Sequence, residues 1–241
     1  MTSVDAHGKT LADYDRPSVA VDTALLTLAP DGQLSVVLVK DSAAGDWRLP
    51  GTFLHVGETL AAAVQRSLKV KAGVSGRSPT QLHVFDDPKR DDRGWVLSVA
   101  HLDAVPFADL AIDPALARLT PIAEVGQLRY DHEEIISLAV DTLRERYADY
   151  PDPAGFAGSR FTLRELQRVH EAVRDTPLMR DTFRRDMQPQ LVETGGYDRG
   201  LVGKPASLFR KRARTGARGN ASRAIGRLRS GGRHGSRTRR K

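Results

Sequence analysis

Two prolines separated by one residue, in Tyr150-Pro151-Asp152-Pro153-Ala154-Gly155, divide this chain into halves of different periodicity. Proline has no amide proton and a fixed φ, so neither a helix interior nor a central strand crosses such a segment. The stretch predicts a linker and a domain boundary. Before it, apolar runs of strand length dominate. Val19 to Leu28, a Pro30-Asp31-Gly32 turn and Leu34 to Val39 predict a hairpin, and Gln81 to Phe85 and Trp95 to Leu102 flank a polar turn holding Asp91, Asp92 and Arg93. Between these pairs, Thr59 to Ala72 is alanine-rich and stopped by Gly73, the composition of a helix with a C-terminal glycine. Asp131 and Glu134 have capping-box spacing, and Ile135, Ile136, Leu138, Ala139 and Leu143 recur at helical intervals to about Tyr147. Four strands and two helices predict a mixed sheet.

Beyond the prolines the pattern is helical. Thr162-Leu163-Arg164-Glu165 is a second capping box, and Leu163, Leu166, Val169 and Val173 mark one buried face. After a break at Thr176-Pro177, Arg180 to Gln188 predicts a further helix with Phe183 and Met187 inward. Leu191 to Gly196 and Lys204 to Arg210 then predict two strands around a glycine-rich tip.

The formal charge of +7 is unevenly spread, because no Asp or Glu follows Asp198. Residues 213–241 are dominated by Arg, Gly and Ser, a composition that cannot bury a core and that attracts polyanions. Cysteine is absent, which excludes disulfides and thiolate metal sites. Residues 1–15 predict a flexible N-terminus without a signal peptide, and no apolar run suffices to span a bilayer. A chain with these properties is expected in the cytoplasm, away from membranes.

The segment from Trp47 through Thr52 and Glu58 to Val74 resembles the Nudix box, G-x5-E-x7-R-E-U-x-E-E-x-G-U, where U is aliphatic. It aligns without gaps. Glu58, Arg66, Leu68, Gly73 and Val74 match, whereas Thr52 replaces the first glycine and Ser67, Val70 and Lys71 replace the three later glutamates. In catalytic members those carboxylates share a helix face and hold Mg²⁺ against a diphosphate. Hydroxyl, isopropyl and ammonium groups cannot do so, which predicts no metal, no cofactor and no hydrolase activity. The retained Glu58 and Arg66 are expected to form an ion pair between loop and helix. A diphosphate needs a cation and a nucleobase an apolar wall, so Arg48, Phe53, Glu58 and Arg66 are the candidate effector-binding residues.

The order of degenerate box, Asp131-His132-Glu133-Glu134 helix and C-terminal Phe161–Gln167 and Phe183–Met187 motifs is similar to the Nudix-related transcriptional regulator family, from about Pro17 to Arg212. The resemblance implies a Nudix-type α/β/α sandwich with a mixed sheet over residues 16–150, a winged helix-turn-helix over 156–212 and a disordered tail over 213–241. It further implies a homodimeric repressor of NAD-metabolism genes that binds double-stranded DNA and responds to a small nucleotide-type effector such as ADP-ribose. Related architectures also serve sugar-responsive regulation. Candidate DNA contacts are Thr182, Arg184, Arg185 and Gln188 on the recognition helix, then Lys204, Arg210, Lys211 and Arg212 around the wing. The family's Gly-Arg-Pro-Ala wing motif stands here as Gly203-Lys204-Pro205-Ala206, which keeps the charge without the guanidinium fork. Two other readings stay open: a hydrolase recruiting carboxylates outside the box, such as Glu133 or Glu134, and a non-sensing DNA-binding protein whose tail supplies most of the affinity.

Overall fold

A computed structural model describes residues 3–40, 45–198 and 205–213. The order is β1 (Ser18–Leu28), β2 (Leu34–Lys40), β3 (Trp47–Arg48), β4 (Gly51–Phe53), α1 (Leu60–Ala72), β5 (Thr80–Phe85), β6 (Val96–Ala104), β7 (Ala117–Pro121), α2 (His132–Asp149), α3 (Leu163–Arg174), α4 (Arg180–Met187), β8 (Leu191–Asp198) and β9 (Ala206–Lys211). The first seven strands form one mixed sheet in the order β3-β2-β1-β6-β5, with β4 on β1 and β7 on β2. β1 and β6 run parallel and the remaining pairs antiparallel.

Strand alternation gives the sheet two buried faces. From β1, Ala24 and Leu26 point to one face and Val21 and Leu25 to the other. Ile135, Ile136, Ala139, Val140, Leu143 and Tyr147 of α2 cover the first, and Ala63, Val64, Leu68 and Ala72 of α1 the second. Each large aliphatic side chain so buried contributes about 2 kcal/mol. The sheet and its helices are the expected α/β/α sandwich. Thr59 caps α1 by accepting the Ala62 amide at 3.2 Å, and Gly73 ends it at φ 66°. Residues 3–15, expected to be flexible, contain a 3-10 turn at Leu11–Asp13 capped by Thr10.

Two local expectations are corrected. Asp131 does not cap α2 with its side chain, because its carboxylate is taken by Arg90 Nε at 2.5 Å. The proline segment is not a loose linker. Asp152 within it is fully buried at φ 46°. Its carboxylate accepts from Tyr147 Oη at 2.7 Å and from the Phe156 and Ala157 amides at 2.8 and 3.0 Å. Its amide donates to His170 Nε2 at 3.3 Å, and its carbonyl accepts from Lys211 Nζ at 2.7 Å. One aspartate therefore ties the end of α2 to α3 and β9.

The C-terminal part has its own core of Phe161, Leu166, Phe183, Met187, Leu191 and Phe209. The second capping box is present at both ends, Thr162 and Glu165 each accepting the other's backbone amide. β8 and β9 pair antiparallel, and Phe161 bridges to Phe209. Val169 and Val173 of α3 join the sheet's first core while Leu166 joins the C-terminal one. α3 therefore belongs to both.

Candidate functional site

Asp22 is the anomaly of β1, a carboxylate only 8% exposed among aliphatic neighbours. A buried charge persists only when it is paired and hydrogen-bonded. Ser98 Oγ donates to Asp22 Oδ2 at 2.5 Å, and His132 Nε2 lies 3.4 Å from Oδ1. The Leu49 amide donates to His132 Nδ1 at 3.2 Å, so the ring proton sits on Nε2, facing the carboxylate. Burial pushes the Asp22 carboxyl up, but hydrogen bonds from His132 and Ser98 and the charge of Arg90 outweigh it and hold it below the ordinary aspartate value. Gly51 is β4's partner for this residue. A Cβ there would lie 1.9 Å from Asp22 Oδ1 and 2.9 Å from the Val21 carbonyl, so only glycine fits.

Asp22, Leu49, Gly51, Arg90 and His132 form one side of a cavity of about 220 Å³. Its walls come from β1, β3, β4, α1, the β5–β6 turn and the start of α2. Among the described residues four cations line it: Arg48, Lys71, Arg90 and Arg93. Arg93 lies 5.3 Å from the ring centres of both Phe53 and Tyr130, and is held by Asp91 through bonds of 2.9 and 2.7 Å. Those bonds keep the Asp91 carboxyl below its ordinary value. Tyr130 has φ 63°, a strained backbone of the kind found at functional sites. The Arg90 side chain is 3% exposed, and its Nη2, buried, makes no hydrogen bond. Lys71 Nζ donates to the Gly51 carbonyl at 2.5 Å. Cations between aromatic walls suit an anionic ligand that also carries a planar group.

Of the residues singled out from sequence, Arg48 and Phe53 line this cavity, and Thr52 and Lys71 do as well. Glu58 and Arg66 do not. Arg66 Nε and Nη2 meet Glu58 Oε1 and Oε2 at 2.8 Å each, while Nη1 bonds Thr52 Oγ1 and Nη2 bonds the Phe53 carbonyl, both at 3.0 Å. This lattice fastens β4 to α1, and the Arg66 hydrogen bonds bring the Glu58 carboxyl down to about 2. Glu133 accepts the Leu128 amide at 2.5 Å, and neither it nor Glu134 reaches the cavity wall. Sequence reasoning missed Asp22, Arg90, Arg93, Tyr130 and His132. Asp91 and Arg93 stood in a recognised polar turn, and an aspartate inside an apolar strand was the signal for Asp22.

Thr182, Arg184, Arg185 and Gln188 are all exposed along α4 and its end, around buried Phe183 and Met187. Arg184 Nε bonds Gln188 Oε1 at 2.9 Å, and Arg185 Nε bonds Asp186 Oδ1 at 3.2 Å. A groove of about 430 Å³ between α3 and α4 adds Arg164, Arg168 and Arg180, none of them foreseen. Arg210 and Arg212 are exposed. Lys211 turns its ammonium inward to Asp152. Lys204 and the tail beyond residue 213 lie outside the described residues.

A Nudix-type mixed sheet joined to a winged helix defines a two-domain class. Family models agree with it: the NUDIX domain matches residues 19–145 and the NrtR DNA-binding winged helix domain matches residues 156–210. The crystal structure of Shewanella oneidensis NrtR complexed with a 27mer DNA resembles this one with a TM-score of 0.69 at 31% identity, over 80% of this chain and 93% of that one. The ADPR responsive transcriptional repressor NtrR of Acinetobacter baylyi is 27% identical, over 83% of this chain and 84% of that protein. An ADP-ribose pyrophosphatase of Methanocaldococcus jannaschii is 32% identical over 51% of this chain and 73% of its own length. The chain belongs to the NrtR family of NUDIX-domain proteins with a C-terminal winged helix.

Proposed function

We propose that this protein is an ADP-ribose-responsive transcriptional repressor whose Nudix-type domain senses the ligand and whose winged helix binds double-stranded DNA. The observation that carries the reading is the cation-lined cavity at the head of α2, a helix whose other end is clamped by Asp152 to the winged helix. Ligand bound against Tyr130 and His132 acts on the first turn of α2. That 18-residue helix transmits the change over about 27 Å to α3 and the wing.

Control of NAD-metabolism genes by a cytoplasmic homodimer, with one winged helix on each operator half-site, completes the reading. α4 enters the major groove with Arg184 and Arg185 foremost, and the groove arginines Arg164, Arg168 and Arg180 face the phosphates. The domain works as a sensor without turnover, because the three box glutamates are replaced by Ser67, Val70 and Lys71.

DNA selected by the full chain from a random duplex library supplies the test. ADP-ribose is expected to raise the melting temperature of the protein and to release the selected duplex, and no nucleotide product is expected after prolonged incubation with magnesium. Turnover of ADP-ribose, or duplex affinity indifferent to saturating ligand, rejects the proposal.

A further inference from the structure

Magnesium, which the NUDIX fold implies, does not fit the residues of this box. Ser67 is buried with its hydroxyl unpartnered, and Val70 is 70% exposed. At the third position Lys71 brings a positive charge into the cavity. Among the described residues no group of three His, Cys, Asp or Glu is placed to hold a metal ion. The two carboxylates that line the cavity among the described residues are already engaged, Asp22 by Ser98 and His132 and Asp91 by Arg93.

Resting on the effector reading above, we infer that the cavity binds a nucleotide diphosphate without a metal, and that Lys71 and Arg90 supply the counter-charge a dication would otherwise bring. Three observations converge. The Lys71 ammonium is drawn back to the Gly51 carbonyl, which fixes a cation in the cavity wall and removes part of the entropic cost of ordering a long side chain on binding. The buried Nη2 of Arg90 is a charged donor with no acceptor, a state native structures tolerate where a ligand completes it. Asp131 grips Arg90 Nε and so aims the guanidinium, while Gly51, unable to carry a Cβ, lets its strand close on Asp22 beside Lys71. A diphosphate meets both charges through its non-bridging oxygens, which accept from each cation.

The test is calorimetric titration of the full chain with ADP-ribose in EDTA and again in magnesium. Dissociation constants within about twofold of each other are expected. Lys71→Met should weaken ADP-ribose about tenfold or more in both buffers, the size of one lost charge-assisted bond. Lys71→Arg should stay within about threefold of wild type, and adenosine, which has no phosphate, should bind Lys71→Met and wild type alike. Equal melting temperatures for the unliganded proteins exclude misfolding as the cause. Wild-type affinity that collapses in EDTA overturns the inference and leaves the effector reading standing, as does a Lys71→Met variant that binds ADP-ribose like wild type. A wild type blind to ADP-ribose in both buffers overturns the effector reading itself.

Discussion

Tyr147 Oη donates a buried 2.7 Å hydrogen bond to Asp152 Oδ1, joining the last turns of α2 to the segment that opens the winged helix. Tyr147 is fully buried, lies edge-on to His170 with ring centres 4.9 Å apart and stacks at 6.0 Å on Phe156. Removing the hydroxyl alone in Tyr147→Phe leaves this packing in place. The expected cost is about 1–3 kcal/mol in urea unfolding, the range for leaving a buried acceptor unsatisfied. Ligand and duplex should each bind with nearly wild-type affinity, while ligand-driven duplex release shrinks. Undiminished release, read by fluorescence anisotropy with and without ADP-ribose, would remove this bond from the coupling.

Burial pushes the His170 imidazole down to about 4. An unfolded imidazole takes its proton near 6.5, whereas the folded one stays neutral until about 4. Between these values the unfolded state binds more protons, so this contribution to stability is complete above 6.5 and lost as pH falls toward 4. The loss between pH 7 and pH 4.5 should be about 2 kcal/mol. His101, also lowered by burial, acts in the same direction. Urea denaturation across this range should show a shallower pH slope for His170→Gln, whose side-chain oxygen can still accept the Asp152 amide. An unchanged slope assigns the effect elsewhere.

Gly51→Ala should cost about 2–3 kcal/mol, because the new methyl meets Asp22 Oδ1 and the Val21 carbonyl together. Backbone cannot give way there without breaking the β1–β4 pairing. ADP-ribose affinity should fall with stability, since the same shift moves Asp22 and the Lys71 acceptor. A melting temperature within a degree of wild type would show that β4 has slack.

Arg184→Ala should weaken the selected duplex by about 1–3 kcal/mol and leave ADP-ribose binding intact. Arg164→Ala should weaken all duplexes uniformly and lower the slope of affinity against salt by about one counterion. Deleting residues 214–241 should flatten that slope further. Equal losses on selected and scrambled DNA for Arg184→Ala would move it from base readout to phosphate contact.

Much of this architecture is legible in local sequence. The β1–β2 hairpin follows from alternation around Pro30-Asp31-Gly32, α1 from its alanines and Gly73, and α3 from its capping box, since each is decided by residues within a few positions. The Glu58–Arg66 pair was legible for the same reason, being eight residues apart across one turn and helix. The cavity was harder. Asp22 meets Ser98 and His132, and Arg90 meets Asp131, only because the parallel β1–β6 pairing and the return of α2 bring distant segments together. Asp131 illustrates the cost of local reasoning: its spacing to Glu134 fitted a cap, but a buried arginine competed for the carboxylate and won. At Asp152, proline chemistry correctly ended a helix, while the aspartate between the prolines organised the chain around itself.

α3 carries Leu166 in one core and Val169 and Val173 in another, so its length and phase are constrained from two sides at once. One inserted residue between Leu166 and Val169 turns everything beyond by about 100° and puts the two apolar stripes out of phase with each other. Insertions between residues 158 and 160, all exposed, face no such double demand. A one-residue indel at that point of α3 therefore sets the packing of the two cores against each other in a single step.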